Sequence, residues 1–334
     1  MTTALLVGIG AVGGRAARQL IETPGIDRVL VADRRAESAS ALQSVMAVEA
    51  IEWTPPHPPP PGVGVIAAAV PDDEDLAIAR CALEFRVPFV SASDDHDAIV
   101  ALLGLDADAR AAGVTLAGGC GLAPGLADVL ARHAAAALDS VEEVHVARAG
   151  VAGPASTAVV RRARGEKAAE WRDGAWRDAR AAGPELVWFP DPIGARDCEL
   201  AAGGLDLLVR AMPDLAVATL RLAEPPARGV GERLNERLTR RSGPEGWGAT
   251  RVEVHGTKGS ARELIVYGVV ERTAVAAGTV LALVAAHLSG ALPLGAPSPA
   301  GVHGAGALVD PVQFLAELSS RGVKAAVFEG VAVS

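Results

Sequence analysis

The sequence predicts an α/β protein, with a doubly wound parallel sheet at the N-terminus and a second α+β domain built on a mixed or antiparallel sheet. Three observations carry this reading. A short apolar run, Ala4–Val7, opens into the glycine-rich turn Gly8-Ile9-Gly10-Ala11-Val12-Gly13. Strand and helix patterns then alternate as far as about residue 125, as parallel sheets with crossover helices do. Beyond Ser140 the pattern changes to strands in which polar and apolar residues alternate, the mark of a sheet with one wet face.

The first strand, Ala4–Gly8, has the continuous apolar character of a central parallel strand. A helix follows over Arg15–Glu22 and stops at Pro24-Gly25, and a second strand, Arg28–Ala32, ends in Asp33. The G-x-G-x-x-G motif therefore follows a strand, opens a helix, precedes a second strand and has an acid about 20 residues past its last glycine, the fingerprint of a Rossmann dinucleotide-binding domain. Gly8 allows the tight turn, Gly10 lets the backbone approach a pyrophosphate, and Gly13 lets helix and strand pack closely. Ala11 and Val12, within the motif, are candidates to bind the cofactor, and the N-terminus of the helix that follows offers free N–H groups and a positive dipole end to the phosphates. Asp33 can accept hydrogen bonds from both ribose hydroxyls and repels a 2′-phosphate, which favours NAD. Arg34 and Arg35 can face that phosphate or stack on the adenine, so NADP stays open.

Ala36–Ala50 reads as a helix, and the proline run at 55–61 as a stiff surface connection that leaves His57 exposed. Gly64–Val70 reads as a strand whose end, Val70-Pro71, is expected beside the ribose nearest the nicotinamide, with Ala69 and Val70 as cofactor-binding candidates. A helix over Asp72–Glu84 and a strand over Pro88–Ser91 lead to Ser93-Asp94-Asp95-His96. Ligands bind at the carboxyl ends of such strands, so Asp94 and Asp95 are candidates for proton transfer. Ser93 or Asp94 is equally suited to cap the helix Asp97–Leu103. A strand from Val114 runs into the loop Gly118–Gly125 and a helix over Leu126–Leu138.

In the second domain, strands are predicted over Val141–Ala147, Glu185–Phe189 and Ala216–Leu222, with a hairpin of Thr250–Val254 and Glu263–Val270 turning at Gly256–Ser260. Arg196 and Asp197 follow a Pro-Asp-Pro-Ile-Gly turn and are candidates to bind a carboxylate and an amine. A plain surface ion pair fits them as well. Arg161, Arg162 and Arg164 read as a solvated helix face, with a carboxylate dock as the alternative. The apolar stretch Ala274–Ala286 is too short to span a bilayer and reads as a buried helix. A last helix, Asp310–Arg321, returns to the first domain. The expected boundaries are 1–125 for the dinucleotide-binding domain, 126–290 for the substrate and dimerisation domain, and 291–334 for the returning segment.

The net charge is −9, which disfavours nucleic acid as a partner. Cys81, Cys120 and Cys198 lie far apart without metal-ligand spacing, so no metal is expected, and their odd, sparse use fits a reducing, cytoplasmic setting. The N-terminus lacks the basic region of a signal peptide.

The segment Val114-Thr115-Leu116-Ala117-Gly118-Gly119-Cys120-Gly121-Leu122-Ala123-Pro124-Gly125, taken with the N-terminal fingerprint, resembles the saccharopine dehydrogenase-like family. That family also takes in lysine dehydrogenases and carboxynorspermidine-type dehydrogenases. The likeness is greatest to an actinobacterial branch with a G-C/A-G-x-A-P-G loop, and extends over nearly the whole chain through Trp171-Arg172-Asp173-Gly174, Phe189-Pro190-Asp191-Pro192-Ile193-Gly194 and Gly301-Val302-His303. The resemblance implies NAD(P)-dependent hydride transfer at a C–N carbon of an amino acid or secondary amine, through an imine. It also implies a homodimer built on the second sheet, and a loop, with Gly119 and Cys120, that borders the nicotinamide. No His or Lys flanks Cys120 to activate a thiolate, so a nucleophilic role is not expected. Saccharopine reductases carry an acid where this chain has Ala123, which argues against saccharopine itself and leaves two other readings: a non-catalytic dinucleotide sensor or partner protein, or a carbonyl or alkene reductase.

Overall fold

Parallel strands need crossovers long enough to return the chain, and the first third of the sequence supplies them as helices. In the computed structural model, which describes residues 2–179, 183–225 and 246–328, β1 (Thr3–Val7), α1 (Ala11–Ile21), β2 (Arg28–Ala32), α2 (Ala36–Gln43), β3 (Glu49–Ala50) and β4 (Val63–Ala68) form the first half of the sheet. The second half is α3 (Asp72–Glu84), β5 (Phe89–Ser91), α4 (His96–Leu103), α5 (Asp106–Ala112) and β6 (Thr115–Gly118). The glycine-rich loop leads through α6 (Leu126–Ala135) to β7 (Ser140–Ala149), α7 (Pro154–Gly165), the hairpin β8 (Ala169–Arg172) and β9 (Ala175–Asp178), then β10 (Glu185–Trp188), β11 (Ala195–Leu200), α8 (Asp206–Ala211) and β12 (Val217–Ala223). A long hairpin, β13 (Trp247–Lys258) and β14 (Ala261–Arg272), precedes α9 (Thr273–Leu288), β15 (Gly301–Gly304), α10 (Ala305–Leu308), α11 (Pro311–Ser320) and β16 (Ala325–Phe328).

Two sheets result. The first is parallel throughout, in the order β15-β6-β5-β4-β1-β2-β3. The order in which strands are added reverses between β1 and β4, the place where doubly wound sheets bind ligands. The second has the order β10-β11-β12-β7-β13-β14-β16, with β8 attached to β12 and β9 to β8. It is mixed, since β12 and β7 run parallel while β7–β13 and β13–β14 are antiparallel. Fold class and sheet types are those the sequence predicts.

β1 is buried on both faces. Ala4 and Leu6 share a core with Ala16, Ala17 and Leu20 of α1 and Val280 of α9, whereas Leu5 and Val7 join Ile78, Ala79 and Phe89 on the opposite side. The apolar stretch expected to be a buried helix is α9, lying against α1. Among the described residues no helix is long and apolar enough to cross a membrane. Arg321 donates to the Gln19 carbonyl and to Thr23 Oγ1, so the chain after α11 is tied back to α1.

Several boundaries differ from expectation, each for a physical reason. α1 starts at Ala11 rather than Arg15, because the glycine motif itself forms the first turn. The predicted helix Ala36–Ala50 ends at Gln43. Its last residues form β3 instead, where Ala50 pairs with Val31 and Glu49 receives a bidentate contact from Arg28. The helix after β6 stops at Ala135, three residues early. The hairpin turns on Gly259 and Ser260 alone, so its strands are longer than the alternation showed, with Lys258 opposite Ala261. His57 is exposed as expected, but its carbonyl is held by the Trp53 indole N–H at 3.0 Å.

Glycine sets the distance between α1 and α9. A Cβ on Gly278 would fall 2.7 Å from the Val12 carbonyl oxygen and 2.7 Å from Arg15 Cβ. Gly278→Ala is therefore expected to push the two helices apart and cost about 1–3 kcal/mol, the usual range for overpacking. Urea denaturation of the variant measures this, and an unchanged midpoint would contradict the close crossing.

Candidate functional site

A cavity of about 380 Å³ opens at the carboxyl ends of the parallel strands, at the switch point. Gly8, Gly10, Ala11 and Val12 line it from the first turn, and Asp33, Arg34 and Arg35 from the end of β2. Ala69, Val70 and Pro71 come from the end of β4, and Ala92, Ser93 and Asp94 from the end of β5. The opposite wall belongs to the second sheet and to α9: Arg148 at the end of β7, Gly153–Ser156 at the start of α7, and Thr273 and Ala277.

The glycine motif has the shape of a phosphate cradle. A Cβ on Gly13 would lie 1.9 Å from the Gly8 carbonyl oxygen, so this position admits only glycine. Gly10 has open space where its Cβ would be, on the cavity side. α1 has no side-chain cap, so the N–H groups of its first turn keep no intrahelical acceptor. Asp33 is fixed by backbone: its carboxylate accepts from the Ile9 N–H at 2.6 Å and the Arg35 N–H at 2.9 Å. These residues fit a dinucleotide, with pyrophosphate at Gly10–Val12 and a ribose at Asp33.

At the other end lies a network that joins the two sheets. The Arg148 side chain, only 5 % exposed, meets Asp94 Oδ2 at 2.6 Å. Its Nη1 also donates to the Ala123 carbonyl at 2.9 Å, and its Nη2 to Ser156 Oγ at 2.8 Å. The Ser156 hydroxyl donates onward to Asp94 Oδ2 at 2.9 Å, which closes the loop. Arg148 Nε is buried and has no hydrogen-bond partner. α7 begins with Gly153 as an uncapped N-cap and Pro154 in its first turn, so the Ala155 and Ser156 N–H groups have no intrahelical acceptor and border the cavity. The result is a polar end with a carboxylate, a guanidinium and a helix N-terminus side by side. It can receive a ligand that carries both a cationic nitrogen and an anionic group.

The remaining predicted residues are placed elsewhere. Asp95 is the N-cap of α4, accepting from the Ala98 N–H at 3.0 Å, and is paired with Arg162; it lies outside the main cavity. The cap is thus Asp95, not Ser93 or Asp94, and the helix starts at His96. Gly119 and Cys120 do not line the cavity, whereas their neighbours Gly121 and Leu122 do. Gly119 takes a φ of +60° and Cys120 is fully buried against the Gly118 carbonyl, where burial pushes its thiol pKa up. Arg196 and Asp197 are exposed on β11, and Arg196 donates to its neighbour's carbonyl. Of the basic cluster on α7, Arg162 and Arg164 are paired, with Asp95 and with Glu199, while Arg161 is exposed.

Sequence reasoning missed Arg148, Ser156 and Glu74. Arg148 had a signal, since it shares the period-two face of Val144 and Val146, which are both fully buried. An arginine in that register must find a buried partner. Ser156 had none, because its neighbours are brought to it only by the fold.

Behind the loop, Asp128 in the first turn of α6 is fully buried. Its Oδ2 accepts only a long contact from the Gly125 N–H, at 3.4 Å, and its Oδ1 has no partner. Burial pushes its pKa up to about 7.

No protein-family model matches the chain, and no curated protein matches it in sequence. Solved structures do match in fold. The apo, histidine-tagged saccharopine dehydrogenase (L-Glu forming) from Saccharomyces cerevisiae superposes with a TM-score of 0.69 at 14% identity, covering 98% of this chain and 99% of that one. The DAP dehydrogenase of C. glutamicum in complex with DAP gives 0.54 at 14% identity, covering 96% and 99%. An engineered D-amino acid dehydrogenase gives 0.53 at 16% identity, over the same shares. The chain therefore has the two-domain fold of these dehydrogenases across its length.

Two measurements test this site. Removing one partner of a buried ion pair strands the other, so Arg148→Met is expected to cost about 3–5 kcal/mol in chemical denaturation; a cost below about 1 kcal/mol would contradict a buried, paired Arg148. Asp128 has a raised folded-state pKa, so the stability of its neutral form is complete below about pH 4 and is lost as pH rises through about 7. Wild-type stability is expected to fall across that window relative to Asp128→Asn, and parallel pH profiles for the two proteins would contradict it.

Proposed function

We propose that the chain is an NAD(P)-dependent oxidoreductase that acts at a C–N carbon of a small substrate, an amino acid or a secondary amine, by way of an imine, with NAD as the preferred cofactor. The observation that carries this is the pairing, within one cavity, of a dinucleotide cradle at Gly8–Gly13 with the Asp94–Arg148–Ser156 network at the far end. The fold shared with the saccharopine, DAP and D-amino acid dehydrogenases is consistent with it.

The nicotinamide supplies the hydride acceptor or donor. The protein's part is to hold both reactants and to move one proton. In this reading the N–H groups at Gly10–Val12 bind the pyrophosphate. Asp33 accepts the ribose hydroxyls and repels a 2′-phosphate. A cationic amine must lose one proton from nitrogen before its carbon can give a hydride to the nicotinamide, because the nitrogen lone pair forms the new C=N bond. In this reading Asp94, which lines the cavity at the end of β5, pairs with the cationic amine and takes that proton. Arg148 and the first turn of α7 hold a carboxylate of the substrate and keep the Asp94 carboxylate oriented. Cys120 takes no part, since its sulfur is buried behind the loop.

Titration of the purified chain with NADH, followed by nicotinamide fluorescence, tests the cofactor half of the reading; no binding of NADH or NADPH would overturn it. For the chemical half, the wild-type chain is expected to reduce NAD with a member of an amino-acid and secondary-amine panel. Asp94→Asn is expected to lower kcat/KM by about 10²–10⁴-fold, the usual contribution of a general base, while NADH affinity changes little. Full turnover in Asp94→Asn would remove Asp94 from proton transfer. NADH binding with no reaction across the panel would favour a dinucleotide-binding protein without catalysis.

A further inference from the structure

Four charged side chains stand together where the cavity wall passes from the end of β2 to the start of α3. Asp33, Arg34 and Arg35 follow β2, and Glu74 lies in the first turn of α3; all four line the cavity. Arg34 Nη1 meets Glu74 Oε1 at 2.9 Å, a contact that bridges two walls 40 residues apart in sequence. The Arg34 side chain is 67 % exposed and that of Glu74 33 %, so the pair adds little to stability. Its consequence is for charge. The four groups sum to zero. Asp33 is held by two backbone N–H groups, with Arg35 Nε 3.9 Å away, and Arg34 is taken by Glu74. Arg35 is 71 % exposed and reaches Asp33 only at 3.9 Å, so of the two guanidinium groups it is Arg34 whose fork is engaged by a carboxylate.

We propose that Glu74 is a specificity-determining residue, which occupies Arg34 and so denies the cavity a cation for the 2′-phosphate of NADP. This rests on the dinucleotide reading above and extends it. The Arg34-Arg35 pair by itself suits a 2′-phosphate, since guanidinium forks bind phosphate well. Glu74 cancels that suitability twice: it engages the fork of Arg34, and it adds a second carboxylate charge beside Asp33. Its place in the first turn of α3 also favours the helix dipole, a structural benefit that glutamine of the same length partly keeps. Glu74→Gln raises the local sum from zero to +1 and releases Arg34.

The test is fluorescence titration of NADH and NADPH against the wild-type chain, Glu74→Gln, Arg34→Met and the double variant. Glu74→Gln is expected to tighten NADPH by about fivefold, as one exposed charge pair can, with NADH affinity changed less than about twofold. Arg34→Met in the Glu74→Gln background is expected to abolish the gain. An unchanged NADPH-to-NADH ratio in Glu74→Gln, or a gain that survives the loss of Arg34, would overturn the proposal while leaving the dinucleotide reading intact. Failure of the wild-type chain to bind either nucleotide would overturn both.

Discussion

The ion pair between Arg148 and Asp94 is the contact on which the site depends. Arg148 ends a strand of the second sheet, and Asp94 follows a strand of the first. A guanidinium that is 5 % exposed cannot stay there unpaired, so the two sheets must meet at this point and in this orientation. The same side chain reaches the Ala123 carbonyl, which fixes the glycine-rich loop, and Ser156, which fixes the first turn of α7. One side chain thereby ties three segments around the cavity to its own strand. Orientation of this kind, settled before a ligand arrives, lets a polar site act without reorganising.

Close packing does the corresponding work at the other end. Gly13 lets α1 start against the turn at Gly8, and Gly278 lets α9 lie against α1. The chain after β14 thus returns to cover the first sheet, and Thr273 and Ala277 enter the cavity wall. The sequence beyond residue 300 adds β15 beside β6 and ties Arg321 to α1. The cavity is enclosed by segments from across the chain, though its phosphate cradle comes from six consecutive residues.

That difference explains what was legible in the sequence. The glycine turn is local: the spacing of Gly8, Gly10 and Gly13 and the distance to Asp33 are properties of one strand–turn–helix–strand unit, and its order was readable, although the helix begins at Ala11 and not at Arg15. Of the parallel strands, β1, β2, β4, β5 and β6 were readable from apolar runs, and β7, β10, β12, β13 and β14 of the second sheet from alternation; β3 was read as helix, and β15 has no apolar run to show it. The polar end was not readable, because Asp94, Ala123, Arg148 and Ser156 are brought together only by tertiary folding. Asp94 could be guessed from its place at a strand end, but its neighbour Asp95 looked identical and proved to be a helix cap. Cys120 drew attention through its loop, yet the backbone turns at Gly119 and buries the sulfur, so Gly121 and Leu122 face the cavity. Arg196 and Asp197 stand exposed on β11 and do not line the cavity, a placement that their sequence neighbours do not reveal.

The central claim is that the cradle and the α7 end belong to one ligand site. Hydrogen exchange of backbone amides, with and without saturating NADH, tests it directly. Slowed exchange is expected together in residues 8–14, 92–94 and 152–156, because a single bound dinucleotide and the network around Asp94 order all three. Slowed exchange at residues 8–14 with none at 92–94 and 152–156 would contradict the account, and would make the polar end a structural joint between the two sheets rather than part of the site.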